Sequence, residues 1–329
     1  MKKIIKIVSK TPNRLVAEFF MGNLCNYKCS YCFPGSNEGT HRWPDYDLAI
    51  SNIEKLLNFY IEKGGKEIID FKIIGGEPTL WPKLKDFVIY LKDRFDIKIS
   101  MSTNGSRTVR YWEEISPYFD DIQISVHHEF ADLEHLVKVA DAIYQTNQTV
   151  LTVNVLMDPD HWNKCVAVVD YLKQHGEPWM LSLMNVQYDG LTRYTKDQEQ
   201  YMQIKNVRMP PMEWVDGLIA KGKLVRDRNV NKSIATFDTG EQLEVDGYYL
   251  IANKLNSFLG YKCNLGVDRF FIDKTGRVSG AYGCEIFDDK LNINHNNFDE
   301  ILSAAEIKPI ICQQTICPCS TEARLTKEL

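Results

Sequence analysis

Cys25-Asn26-Tyr27-Lys28-Cys29-Ser30-Tyr31-Cys32 sets three thiols at C-x3-C-x2-C spacing, directly after the apolar run Leu15–Leu24. Thiolates grouped this closely in a reducing compartment are metal or iron–sulfur ligands rather than disulfide partners. Three of them leave a four-iron cluster one protein ligand short, so one iron stays open to a substrate or cofactor. A closed structural zinc site has no such opening. The competing reading is a zinc knuckle completed by a distant side chain such as His41.

The rest of the chain narrows the choice. Of nine cysteines, the triad forms one cluster and Cys263, Cys284, Cys312, Cys317 and Cys319 form a second. Cys165 stands alone on an apolar helical stripe and reads as a buried structural thiol. The 329 residues are 44% hydrophobic and 25% charged, which excludes a disordered or fibrous chain. Lys plus Arg total 39 and Asp plus Glu 44, a net charge of −5, too acidic for a general nucleic-acid binder. Lys2, Lys3, Lys6 and Lys10 interrupt the first apolar residues, so no signal-peptide core is expected, and no apolar run reaches bilayer length. The expected location is cytoplasmic, with no membrane partner.

From Leu15 to Val186, apolar strands alternate with amphipathic helices. The strands are Leu15–Leu24, Ile68–Ile74, Ile97–Ser102, Ile122–Val126, Val150–Met157 and Trp179–Val186. Helical periodicity fills Asp47–Lys63, Lys83–Phe95, Leu133–Tyr144 and Trp162–His175, with a weaker helix at Tyr111–Phe119. Six such units imply right-handed crossovers and a parallel sheet, closing into a partial barrel or remaining open and doubly wound. The glycine-rich turn of a dinucleotide-binding crossover is missing after the first strand; the cysteine loop stands there instead.

Beyond Gln187 the pattern changes. Helical fragments Gln198–Val207 and Met212–Lys221 surround Pro210-Pro211. Ile234–Phe237 and Leu243–Val245 flank the turn Asp238-Thr239-Gly240. A further turn, Asp246-Gly247, precedes Tyr248–Ile251, and the whole reads as an α-to-β transition. Arg269–Asp273 and Arg277–Tyr282 form a hairpin with Cys263 before it and Cys284 after it, and Phe298–Glu306 reads as one helix.

The triad resembles the cluster-binding loop of the radical S-adenosylmethionine (radical SAM) enzymes, and the resemblance extends over Leu15–Val186. It implies an α/β protein: a partial (β/α)6 TIM-like barrel followed by a small C-terminal α+β auxiliary iron–sulfur domain. The domains expected are a core at 1–189, a connecting and substrate-covering segment at 190–260, and the auxiliary-cluster domain at 261–329. It further implies a 4Fe–4S cluster on Cys25, Cys29 and Cys32, whose open iron binds the amino and carboxylate groups of S-adenosylmethionine. Reductive cleavage then gives methionine and a 5′-deoxyadenosyl radical that abstracts a substrate hydrogen. Gly75-Gly76-Glu77-Pro78, just after the second strand, resembles the family's GGE motif, which receives the methionine amino group. Ser102, within Ser102-Thr103-Asn104-Gly105, then Asn104 and Ser125 sit at strand ends near the implied cofactor, and Tyr31 packs near its adenine. The fifth strand, ending Val153-Asn154-Val155-Leu156-Met157-Asp158, departs from the family's glycine-containing adenine motif.

The C-terminal order of cysteine, hairpin, cysteine, helix and clustered cysteines resembles the twitch domain, the short form of the SPASM extension. That implies a second, auxiliary 4Fe–4S cluster. Cys263 and Cys284 match the hairpin-flanking ligands, and Cys317 with either Cys312 or Cys319 completes the set. A zinc ribbon is the alternative for this tail.

Reactive sites in parallel barrels lie at the C-terminal strand ends. That nominates His127, His128 and Glu129, then Asp158, then Asn185, Gln187, Tyr188 and Asp189. His127 leads for catalysis, being poised near neutral pH, and Asp158, Gln187 and Tyr188 for substrate contact. The expected function is radical chemistry on a small polar, sugar- or aminocyclitol-like molecule, ending in oxidation or epimerisation, with flavodoxin or ferredoxin as reductant. One alternative is maturation of a ribosomal peptide, disfavoured because the first barrel strand begins by Leu15 and leaves no room for a peptide-recognition domain. The non-enzymatic alternative is a zinc-knuckle binding protein.

Overall fold

The computed structural model describes residues 2–186, 193–224, 231–281, 284–287, 291–317 and 319–329. In chain order the elements are β1 (Ile4–Ser9), β2 (Arg14–Phe20), α1 (Tyr46–Glu62), β3 (Ile68–Ile74), α2 (Leu84–Arg94), β4 (Ile97–Thr103), α3 (Val109–Ile115), β5 (Asp121–Val126), α4 (Leu133–Thr146), β6 (Val150–Met157), α5 (Trp162–Gln174) and β7 (Met180–Asn185). There follow α6 (Lys196–Met202), β8 (Asn206–Arg208), α7 (Met212–Ala220), β9 (Ser233–Phe237), β10 (Gln242–Val245), α8 (Gly247–Ala252), β11 (Lys262–Cys263), α9 (Leu265–Asp268), β12 (Arg269–Ile272), β13 (Val278–Ser279), α10 (Phe298–Ser303), β14 (Ile310–Ile311), α11 (Ser320–Ala323) and β15 (Lys327–Glu328). They fall into two units, one of Met21–Trp43 and Lys72–Arg226, the other of Met1–Phe20, Pro44–Phe71 and Asp227–Leu329.

In the first unit the strand order is β3-β4-β5-β6-β7-β8. β4 to β7 pair in parallel, and β8 ends the series as an antiparallel edge. Alternation along the strands explains the layering. Ile99, Met101, Ile122, Ile124, Val126, Val153 and Val155 point to one fully buried face. The helices supply matching apolar stripes: Leu84, Phe87, Val88 and Leu91 on α2; Leu136, Val139, Ala140 and Ile143 on α4; Cys165, Val168, Val169 and Leu172 on α5. The opposite face carries Ser100, Ser102, Gln123, Ser125, Thr152 and Asn154, in register across β4, β5 and β6. Among the described residues the series does not close on itself, so the fold is the expected partial TIM-like barrel. Cys165 is buried in α5, as its stripe requires.

The second unit is α+β. Its six-stranded sheet, ordered β10-β9-β1-β15-β11-β14, is antiparallel throughout. Ile4, Ile7, Ala235, Phe237, Val245, Leu250 and Phe258 form its core. β12 pairs in parallel with β2 and antiparallel with β13, the expected hairpin. Asp45 caps α1 by accepting the Leu48 N–H, and Tyr60 of α1 donates to the Gly266 carbonyl at 3.1 Å.

Three local readings change. The lysine-dotted segment before Leu15 contains a central strand, β1, in which Ile4 and Ile7 are buried and the single lysine, Lys6, is half-buried. Tyr248–Ile251 lies in helix α8, because the Asp246 side chain caps the Tyr249 N–H instead of merely turning the chain. The helical stretch at Gln198–Val207 stops at Met202, and Asn206–Arg208 pairs with β7 as β8.

Candidate functional site

The triad loop is closed at its base by one fully buried side chain. Asn23 donates from Nδ2 to the Gly35 carbonyl at 2.8 Å and to Thr40 Oγ1 at 2.9 Å, and its Oδ1 accepts the His41 N–H at 2.7 Å. Beside it Gly22 has φ of +144°, and a Cβ there would fall 1.3 Å from the Arg42 carbonyl oxygen, so only glycine fits. The turn after β3 is then stitched to this strand exit. The Gly76 N–H donates to the Gly22 carbonyl and the Glu77 N–H to the Leu24 carbonyl, each at 2.8 Å. A Cβ on Gly76 would stand 2.2 Å from the Leu24 oxygen.

Glu77 is buried, and its carboxylate takes four donors from its own unit. Oε1 accepts the Thr79 N–H at 3.1 Å, the Thr79 hydroxyl at 2.6 Å and the Thr103 hydroxyl at 2.7 Å; Oε2 accepts the Asn104 N–H at 2.7 Å. Burial pushes its pKa up and those hydrogen bonds pull it back. The Asn104 side chain donates to Asn26 Oδ1 at 2.9 Å and lies 3.9 Å from Cys25 Sγ. The turn, the end of β4 and the first cysteine therefore form one hydrogen-bonded assembly. Thr103, not Ser102, is the hydroxyl that reaches Glu77; Ser102 and Ser125 lie on the half-buried polar strand face.

The three thiols act on one another: Cys25 and Cys32 both raise Cys29. Burial is the larger cause in each case, and it pushes Cys29 up to about 12. Such thiols stay protonated until a cation supplies the missing favourable charge, so metal loading here must release protons. The loop is fixed from the far side by Glu129, which accepts the Ser30 N–H at 2.8 Å and the Ser30 hydroxyl at 2.6 Å. Apolar packing of Cys29 and Tyr31 on Leu156 and Val186 completes its seat. Among the described residues the three sulfurs form no group, alone or with a His, Asp or Glu, in which all ligand atoms lie within 4.8 Å. His41, exposed, sets its Nδ1 3.1 Å from the Thr40 hydroxyl. One buried and two half-buried thiols, spaced too widely to share a single ion, fit a multi-iron cluster better than a knuckle completed by His41.

The aromatic wall beside the loop gathers several nominated residues. Tyr31 stacks on His127 and His128 with ring centroids 5.8 and 5.4 Å apart, and its hydroxyl lies 3.2 Å from His127 Nδ1. Burial pushes His127 down to about 4, which leaves the imidazole neutral at physiological pH. Asp158 is fully buried and accepts from His128 and His161, so it orients imidazoles. Gln187, Tyr188 and Asp189 lie outside the described residues. Tyr194, a position that no motif or periodicity marks, accepts the Val186 N–H and donates to the Met157 carbonyl, both at 2.7 Å, bridging the ends of β7 and β6.

In the second unit, Cys312 stands close enough to raise Cys263, Cys284 and Cys317, and Cys263 raises the latter two. Burial pushes Cys284 up to about 11 and Cys317 up to about 12. The buried Lys327 ammonium pulls Cys263 and Cys317 the other way. Cys319 occupies the cap position of α11.

Comparison with known proteins agrees with this geometry. The family model of the Radical SAM superfamily matches residues 19–186. A "Probable GTP 3',8-cyclase" of Methanococcus maripaludis is 27% identical over 163 residues, 46% of this chain and 53% of that protein. An S-adenosylmethionine-dependent nucleotide dehydratase of a Fibrobacter species is 32% identical over 104 residues, 32% of this chain and 30% of that one. The chain thus matches about half the length, or less, of these relatives. The solved structure of histidine-tagged anSMEcpe with bound AdoMet aligns at a TM-score of 0.50 and 15% identity, over 88% of this chain and 83% of that one, a likeness of fold.

Proposed function

The chain belongs to the radical SAM superfamily, and from that premise we propose that it binds a 4Fe–4S cluster and S-adenosylmethionine and removes a hydrogen atom from a small hydroxylated molecule. The observation that carries this reading is the pair of 2.8 Å backbone hydrogen bonds joining the GGE turn to the strand exit that leads into the thiol triad. On this reading the two bonds would hold the cluster ligands and the cofactor-binding turn on one support. Bound together, cluster and cofactor would supply the 5′-deoxyadenosyl radical; the protein supplies placement and shelter from water.

On this reading Cys25, Cys29 and Cys32 hold the cluster. The Gly75-Gly76-Glu77 turn receives the cofactor through its backbone, and Glu77, with four donors of its own, keeps that turn and Asn104 in position. Tyr31, Ser102, Asn104 and Ser125 border the remainder of the cofactor, and neutral His127 is an acceptor toward the substrate. The polar strand face is built of hydroxyls and amides, Ser100, Ser102, Gln123, Ser125, Thr152 and Asn154. Such a lining suits a sugar- or aminocyclitol-like substrate better than a triphosphate, which calls for arginine or lysine. Cys263, Cys284, Cys312 and Cys317 are proposed to hold a second 4Fe–4S cluster, a place for an electron that favours oxidation over epimerisation.

Anaerobic protein is expected to carry about seven to eight irons. The triple replacement of Cys25, Cys29 and Cys32 by Ala should lose about half of them and all formation of 5′-deoxyadenosine. Undiminished 5′-deoxyadenosine would refute the assignment. Incubation with deuterated sugars and aminocyclitols, reading deuterium in 5′-deoxyadenosine, identifies the substrate. Label transfer only from a peptide would overturn the small-molecule reading.

A further inference from the structure

We propose that His128, Asp158 and His161 form a mononuclear site for a divalent metal ion of the zinc class, separate from the cysteine clusters. Asp158 Oδ2 is 3.0 Å from His128 Nε2 and 2.8 Å from His161 Nδ1, and all three ligand atoms lie within 4.8 Å of one another. Ligands about 2.0–2.1 Å from one ion, at tetrahedral or right angles, are separated by about 2.9–3.4 Å. The two short contacts are close to that spacing. Two imidazoles and a carboxylate are a donor set that binds zinc-class ions while leaving positions for water or a substrate oxygen. Among the described residues no other group of His, Cys, Asp or Glu is gathered this tightly.

The local sequence explains the convergence. Asp158-Pro159-Asp160-His161 begins a short 3-10 turn at the end of β6, with proline in its first positions, which brings residues 158 and 161 to the same side. Asp158 Oδ1 accepts the Asp160 N–H at 3.0 Å, which fixes the carboxylate. The His128 ring packs against Tyr31 at 5.4 Å and against His161 at 5.0 Å. The Asp158 and His128 side chains are 1% and 2% exposed, while His161 is 43% exposed and gives the ion its route in.

The same contacts serve as hydrogen bonds in the metal-free protein, each imidazole donating an N–H to Oδ2. When an ion takes those two nitrogens, each ring keeps its proton by moving it to the other nitrogen, so both remain neutral ligands. In His128 that nitrogen is Nδ1, which is buried and has no hydrogen-bond partner.

The test uses the full chain with its iron–sulfur content restored anaerobically, equilibrated with zinc against a competing chelator and analysed for both metals. One zinc per chain is expected, with zinc-edge X-ray absorption showing nitrogen and oxygen neighbours at about 2.0–2.1 Å and no sulfur at about 2.3 Å. His161→Ala should weaken zinc binding by more than about tenfold while iron content is unchanged, since loss of even an outer partner costs that much. His128→Gln gives a second reading should the first variant fold poorly, with circular dichroism checking the fold of each. No retained zinc in the wild type, zinc with a sulfur shell, or unchanged affinity in folded variants would overturn the site. Iron content reports separately on the cysteine clusters.

Discussion

At the scale of single residues, the chemistry-bearing side chains announce themselves by type and spacing, but the residues that hold them do not. C-x3-C-x2-C and Gly75-Gly76-Glu77 stand out in the sequence. Asn23, which clamps both ends of the triad loop, reads as an ordinary loop asparagine until three partners from Gly35, Thr40 and His41 are seen around it. Asp121 is another silent position. Its Oδ1 is buried without a hydrogen-bond partner, and burial pushes its pKa up to about 6, against smaller help from Gln123 and Lys72. A carboxyl raised in the folded state binds more protons folded than unfolded between about pH 4 and 6. Stability therefore falls as pH rises through that window and stays lower above it. Asp121→Asn is expected to raise stability at pH 7 by up to ~3 kcal/mol, since each tenfold change in proton affinity is worth about 1.4 kcal/mol, with the gain vanishing near pH 4. Denaturant melts at the two pH values check this; an equal gain at both would contradict it.

At the scale of elements, strands with strict alternation were legible almost to the residue. Ile68–Ile74 and Val150–Met157 coincide with β3 and β6, because the row of each strand that faces the core carries no charged residue. β1 was not legible, since the exposed lysines that flank it match a solvated segment and only pairing with β9 and β15 makes it a strand. The seam between the GGE turn and the triad loop was legible as two motifs but not as a contact. Its closeness yields a prediction. A methyl on Gly76 would meet the Leu24 carbonyl at 2.2 Å, a rigid backbone atom, so Gly76→Ala must push the triad loop away. The expected result is a stability loss of about 2 kcal/mol or more, together with lost iron. Gly65→Ala is the control: φ is +61° there but nothing lies within 4 Å of the new methyl. It should cost about 1–2 kcal/mol from the left-handed backbone alone and leave iron content intact. Equal iron in both variants would show that the seam does not support the cluster loop.

At the scale of the whole molecule, the chain does not fold as beads on a string. One unit draws on three stretches, Met1–Phe20, Pro44–Phe71 and Asp227–Leu329, and nothing in local periodicity says that β1 will lie between β9 and β15. A buried ion pair ties all three stretches together. Lys66 Nζ donates to Asp268 Oδ1 at 2.6 Å and to the Pro12 carbonyl at 2.7 Å, with both side chains under a tenth exposed. Asp268 stays raised despite its partner, because burial outweighs the attraction. A pair of this kind contributes little over an apolar replacement, yet its single members are costly to remove, since the survivor is left charged and dry. Lys66→Met is therefore expected to lose about 3–5 kcal/mol, whereas Lys66→Met with Asp268→Leu should recover at least half of that. The Pro12 carbonyl remains without its donor in both, which keeps the recovery incomplete. Equilibrium denaturation of wild type, Lys66→Met, Asp268→Leu and the double variant measures the coupling directly. If the double variant is as unstable as the sum of the two single ones, the pair is not what joins these stretches.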